Sequence, residues 1–221
     1  MSTKAQSAAL ITAAAAFTAL SILVSHGQLD RVDSYAVRNL MPFTGAHHGG
    51  TTTLERLLAY KGTRFHAGRV LRLPASVLVA TILMLVASLV LWRRGRRRWA
   101  LLWFVAFVLV GVVELACKLT ITKPALYTIS NGVLDPIGLR SSFPSGHALR
   151  AALLVTVFAS LWPLLTPVLL LWFAGVVVTL ELDGVHTPSD IVGGLLLACV
   201  ATLTVALLAS DSSRTTRRPD R

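Results

Sequence analysis

Charge is scarce in this chain: 14% of its 221 residues are charged, against 54% hydrophobic. A soluble core of this size does not need so much apolar material, whereas several membrane spans of about 20 residues do. Cysteine is scarcer still. Cys117 and Cys199 both lie in or beside apolar runs, which excludes a disulfide framework and a cysteine metal site and leaves packing roles. No internal repeat of useful length is present. No small-x-small cleavage site follows the first apolar run, which continues Ser25-His26-Gly27-Gln28, so that run reads as a retained signal anchor and not a removable peptide. The formal charge of +11 does not point to nucleic acid, because the basic residues flank apolar runs and do not alternate with aromatics. In such places they anchor topology and meet anionic headgroups.

What the chain does have is six apolar segments, roughly Ala8–Ser25, Pro74–Trp92, Trp99–Cys117, Gly146–Leu164, Pro167–Leu182 and Asp190–Leu208. They predict an all-α fold: one six-helix integral membrane bundle over residues 1–211, with a disordered basic tail over 212–221. Arg93-Arg94-Gly95-Arg96-Arg97-Arg98 lies between spans two and three, and Arg214, Arg217, Arg218 and Arg221 follow span six. The positive-inside bias puts both clusters, and with six crossings both termini, in the cytoplasm of a multi-pass cell-membrane protein. Trp92, Trp99 and Trp103 fit an aromatic belt on that side. The long loop from His26 to Leu73 is then outside, although it carries seven Arg or Lys residues. It is expected to begin with a short interfacial helix over Leu29–Leu40 and to pass through a flexible Gly/Thr tract over Gly45–Thr53.

This topology brings two polar loops out on one face. One follows span three and runs from Lys118 to Pro144-Ser145-Gly146-His147; the other follows span five and holds His186-Thr187-Pro188-Ser189-Asp190. Ionisable groups near hydrocarbon are costly, so a convergent set of them marks a functional site. Ser145 at a helix start is an ordinary cap. The same helix start also offers free backbone N–H groups and a positive dipole end suited to phosphate. Gly146 would allow close backbone approach, the Ser145 hydroxyl adds a donor, and His147 can protonate a departing alkoxide. His186 and Asp190 are four apart, on one helical face. A carboxylate holding one imidazole nitrogen leaves the other free to attack, and Asp190 would also cap the last helix.

Taken together, these segments resemble the type 2 phosphatidic acid phosphatase family of lipid phosphate phosphatases related to vanadium haloperoxidases. That family shows Lys-x6-Arg-Pro, Pro-Ser-Gly-His and Ser-Arg-x5-His-x3-Asp on six membrane helices. The resemblance covers about Glu114 to Leu197. It implies His186 as the nucleophile forming a phosphohistidine, Asp190 as its partner and His147 as the acid. It also implies Lys118 with the Ser145-Gly146 backbone as the phosphate grip, an outer-face site, and no cofactor or metal. Two arginines of the pattern are absent. The first motif has Ala125-Leu126 where Arg-Pro is expected, after Lys123-Pro124, and the third has Thr179-Leu180 in place of Ser-Arg. Each hydrogen bond to a charged group contributes roughly 1.5–3 kcal/mol, so losing both weakens phosphate binding by several kcal/mol unless something replaces them.

Arg150, three residues past His147, Arg140 and Lys123 are the candidate replacements. The competing role for Arg150 is a pair with Glu114, Glu181 or Asp183, or snorkelling to headgroups. Glu114, four residues before Lys118, is read as positioning that lysine. His47, His48 and His66 sit in a loop without carboxylates and make a poor metal site. The expected function is hydrolysis of a lipid phosphomonoester or pyrophosphate, of polyprenyl diphosphate or phosphatidate type, with membrane lipids as the other partner. The rivals are a phospho-group transferase using the same site and a degenerate member that binds lipid phosphate without turnover.

Overall fold

The computed structural model describes residues 2–39, 64–123, 141–183 and 185–215. The regular elements among them are helical: α1 (Thr3–Ser25), α2 (Asp30–Asn39), α3 (Arg64–Arg72), α4 (Val77–Arg93), α5 (Arg97–Thr120), α6 (Gly146–Leu161), α7 (Thr166–Leu182) and α8 (Pro188–Thr215), with short 3-10 turns at Leu73–Ala75 and Pro163–Leu165. The expected interfacial helix is α2. The expected tract over Gly45–Thr53, and Arg140, His47 and His48, lie outside the described residues.

Among the described residues, four segments are long and apolar enough to cross a membrane: Thr3–Ser25, Arg97–Thr120, Pro163–Leu182 and Pro188–Ser210. Gly68–Ala75 and Val77–Arg93 together make a fifth if the 48° bend between them is crossed by one span. The expected span over Gly146–Leu164 is instead the 16-residue α6. Pro163 forces Trp162 out of the helical region (φ −138°, ψ 81°), because a residue before proline clashes there. At 1.5 Å per residue α6 is about 24 Å long, short of a hydrocarbon core of roughly 30 Å. The last helix runs to Thr215, and the rest of the expected tail, residues 216–221, lies outside the described residues.

Which helix lies inside follows from exposure. Ten of the sixteen residues of α6 are buried, whereas α4, α5 and α7 expose rows of large apolar side chains such as Leu78, Ile82, Leu109, Val112 and Leu171. α6 is therefore the central helix, packed against α4, α5, α7 and α8, and α1 lies along α8. Lipid tails are as apolar as leucine, so close packing of small residues, more than hydrophobic transfer, holds such helices together. Ala80, Ala87, Ala100, Ala198 and Ala201 fill the shared core accordingly.

The two ends of the bundle differ sharply. At one end Arg94 donates to Leu161 O (3.0 Å), the last carbonyl of α6, where it complements the helix dipole, and Arg98 donates to Leu208 O of α8. Arg94, Arg96 and Arg97 stack over Trp162, Trp99 and Trp92. At the other end, the C-termini of α5 and α7 meet the N-termini of α6 and α8. That end carries the candidate chemistry.

Candidate active site

Two close approaches build the floor of the site. A Cβ on Gly194 would lie 2.4 Å from Ser145 O, and one on Gly193 would lie 2.4 Å from the Phe143 ring. Only glycines let the first turns of α8 press this closely on the start of α6. Ser145 N–H then donates to Asp190 O (2.9 Å), tying the two helix starts together. Ser145 is the N-cap of α6, its Oγ accepting from Ala148 N–H (3.3 Å). The hydroxyl hydrogen remains available to a ligand. The N–H groups of Gly146 and His147 have no partner among the described residues, although Ser145 and Gly146 are themselves buried.

The start of α8 is closed instead. Asp190 is fully buried; its Oδ2 accepts from Thr187 N–H (3.1 Å), the reach-back of a third helical residue to the capping position. Thr187, not Asp190 as expected from the sequence, therefore occupies the cap. Asp33, brought in by α2, takes Ser189 N–H (3.3 Å) and Ser189 Oγ–H (2.7 Å). Asp190 also faces the histidine: His186 Nδ1 lies 3.5 Å from Asp190 Oδ2, at the outer edge of hydrogen-bond distance. The rings of His147 and His186 are 6.4 Å apart between centroids, inclined at 55°.

Lys123 has a different task from the phosphate grip expected of it. Its buried ammonium donates to Asp33 Oδ2 (2.8 Å), Thr187 Oγ1 (2.6 Å), Ser189 Oγ (2.6 Å) and Asp190 Oδ1 (2.7 Å). An ammonium has three N–H donors, and four oxygens saturate them. Lys123 thus clamps α2 and the start of α8 together and holds the second oxygen of Asp190. Sequence reasoning missed Asp33 as its counter-ion. An aspartate ninety residues away gives no local signal.

Lys118 and Arg150 share Glu114. Lys118 Nζ donates to Glu114 Oε1 (2.8 Å) and Arg150 Nη1 to Glu114 Oε2 (2.7 Å), while Arg150 Nε donates to Ala75 O (2.9 Å). The expected Glu114–Lys118 pair is present, and Arg150 takes the counter-ion role weighed against substrate contact. Gly146 is glycine for this carboxylate: a Cβ there would lie 2.0 Å from Glu114 Oε1 and 2.5 Å from Arg150 Nη2. Close approach at Gly146 was expected to serve the ligand; here the protein itself fills the space on that side.

A further cation, Arg72 at the end of α3, donates through Nη1 to Thr179 O (2.8 Å) and Asp183 Oδ2 (2.7 Å). The buried hydroxyls of Ser141 and Ser142, on the strand of chain entering this site, have no hydrogen-bond partner among the described residues. Ala125 and Leu126, the positions of the absent first arginine, lie outside the described residues.

Residues 117–214, just under half of the chain, match the sequence model of the PAP2 superfamily. The match runs from the end of α5 through α8 and places that segment in the type 2 phosphatidic acid phosphatase-like family, as its motifs indicate. No curated protein and no solved structure matches the chain.

Proposed function

We propose that this chain, a phosphatase-type PAP2 protein by its last helices, hydrolyses a phosphomonoester or pyrophosphate of a membrane lipid, of polyprenyl diphosphate or phosphatidate type, without metal. The observation that carries the reading is the facing pair of His147 and His186, 6.4 Å between ring centroids, beside the start of α6, whose first N–H groups have no partner among the described residues. That spacing is compatible with one phosphoryl group held between the rings.

In the first step His186 Nε2 attacks phosphorus and the bond to the leaving oxygen breaks. His147 gives that oxygen a proton, so the lipid alcohol or lipid monophosphate leaves neutral at that atom. Asp190, held on one oxygen by Lys123, faces Nδ1 and steadies the ring as positive charge develops. In the second step water attacks the phosphohistidine, His147 takes its proton, and the N–P bond breaks to release inorganic phosphate. Gly146 and His147 N–H, the Ser145 hydroxyl and Lys118 would meet the charge on the equatorial oxygens. With the arginine cluster in the cytoplasm, the site opens on the outer membrane face.

The test is purified protein in detergent with a panel of lipid phosphates and no added metal, beside His186→Ala. Wild type is expected to release phosphate and to trap label on histidine when quenched in base, and the variant to do neither. Release that survives His186→Ala would sink the nucleophile assignment. Wild type that binds lipid phosphate but never turns it over would establish the binding-protein rival instead.

A further inference from the structure

The arginine expected at position 180 of the third motif is Leu180, which is fully buried. A different guanidinium lies on the same stretch of backbone. Arg72 Nη1 donates 2.8 Å to Thr179 O, the carbonyl of the peptide that joins Thr179 to Leu180. The next carbonyl, Leu180 O, accepts from Val185 N–H (3.0 Å) and His186 N–H (3.2 Å). Arg72 is thus anchored one peptide away from the backbone that holds His186. It lies outside the segment that matches the family.

The fold takes trouble to deliver it there. α3 lies along one face of α7. Trp172 Nε1 donates to Leu71 O (2.9 Å). Gly175 gives Leu71 room, since a Cβ there would be 2.8 Å from Leu71 Cδ2. Thr179 and Asp183 hold the guanidinium, and Gly68 leaves space for Asp183, whose Oδ2 would be 2.3 Å from a Cβ on that glycine. Positions 172, 175, 179 and 183 recur every three or four residues, as one helix face requires. An arginine present only to neutralise Asp183 would be satisfied by this docking. Yet both bonds use Nη1, while Nε and Nη2, with three N–H donors, have no partner among the described residues. A guanidinium with one nitrogen fixed and three N–H donors unused by the described residues has the donors to take an oxyanion.

We propose that Arg72 holds the substrate phosphate in place of the arginine missing at position 180. The proposal rests on the phosphatase reading above, and the experiment separates the two. Four proteins are compared: wild type, Arg72→Gln, Asp183→Asn, and Arg72→Gln with Leu180→Arg. The measurements are kcat/KM on a lipid phosphomonoester, inhibition by orthovanadate, and the thermal shift produced by inorganic phosphate. Arg72→Gln should lower kcat/KM about 10- to 100-fold, the worth of one charged hydrogen-bonding partner, and weaken vanadate to match. Asp183→Asn breaks the same ion pair but keeps the guanidinium, so it should stay within about threefold of wild type. Leu180→Arg should recover part of the loss.

Arg72→Gln and Asp183→Asn falling equally, with equal loss of thermal stability and no change in the vanadate constant, would make Arg72 a structural residue and overturn the proposal. So would an active wild type indifferent to Arg72→Gln, which leaves the phosphatase reading standing. A wild type without turnover whose phosphate-induced shift disappears in Arg72→Gln would support the proposal while the phosphatase reading fails. Wild type showing neither turnover nor a phosphate shift would sink both.

Discussion

Alanine at Gly146 should destabilise the protein through a carboxylate 32 positions earlier in the chain. The added Cβ would sit 2.0 Å from Glu114 Oε1, 2.6 Å from Glu114 Cδ and 2.5 Å from Arg150 Nη2, so Glu114 must move. Glu114 is the shared counter-ion of Lys118 and Arg150, and moving it uncouples one pair or both. Breaking a buried pair costs roughly 3–5 kcal/mol, against roughly 0.5–1 kcal/mol gained on replacing a helical glycine by alanine. The net expectation is a loss of about 2–4 kcal/mol, read by reversible unfolding in SDS and detergent mixed micelles. The decisive comparison is the same substitution in a Glu114→Ala background. Glu114→Ala is itself damaging, but it removes the nearer obstructing group and releases Arg150, whose Nη2 is the other, to move aside. Gly146→Ala should then be neutral or slightly stabilising, a coupling of roughly 3–5 kcal/mol. Additive effects would refute the reasoning. A Gly146→Ala protein of unchanged stability but lost turnover would instead restore the view that the glycine serves the ligand.

Two more expectations follow from the same geometry. Gly194→Ala should lower unfolding free energy by roughly 1–3 kcal/mol, because its Cβ would meet Ser145 O at 2.4 Å and Leu149 N at 3.2 Å, backbone atoms that cannot swing aside; Gly111→Ala, with nothing within 4 Å, is the matched control and should be neutral or stabilising. Lys123→Met should destabilise by roughly 3–5 kcal/mol by stranding Asp33 and Asp190, and lower kcat more than it raises KM, since the misplaced group is the partner of His186. A raised KM at unchanged stability in steady-state assays would return Lys123 to the phosphate grip.

Local pattern carried the sequence reading a long way. The apolar runs located α1, α4, α5, α7 and α8, because burial in lipid leaves little choice of residue. The Pro-Ser-Gly-His and His-x-x-x-Asp segments located the two helix starts, because a cap and an i,i+4 pair are near neighbours in sequence. What stayed hidden is the pairing of charge across the chain. Lys123 with Asp33 spans ninety residues, Arg72 with Asp183 one hundred and eleven, and Arg150 with Glu114 thirty-six. Only the last was weighed, since Glu114 already stood out beside Lys118. Helix length was misjudged for a related reason: the run Gly146–Leu164 is apolar throughout, but Pro163 ends the helix by backbone sterics that hydropathy does not register.

The same charge pairing bears on how a site without its two family arginines could still take phosphate. Four cations meet four carboxylates here: Arg72 with Asp183, Lys118 and Arg150 with Glu114, and Lys123 with Asp33 and Asp190. Near hydrocarbon an unpaired charge is expensive, so the cations must already be paired before any ligand arrives. Pairing, however, does not exhaust them equally. Lys123 spends every donor inside the protein. Among the described residues Lys118 has one oxygen partner for three N–H groups, and Arg72 has partners on Nη1 alone. If Arg72 and Lys118 hold phosphate as proposed, the ligand would be added at these unused donors without breaking a single pair. On the proposed grip the carboxylates neutralise the cations before binding and leave phosphate to the unused donors, so that Asp183→Asn, unlike Arg72→Gln, is expected to spare turnover.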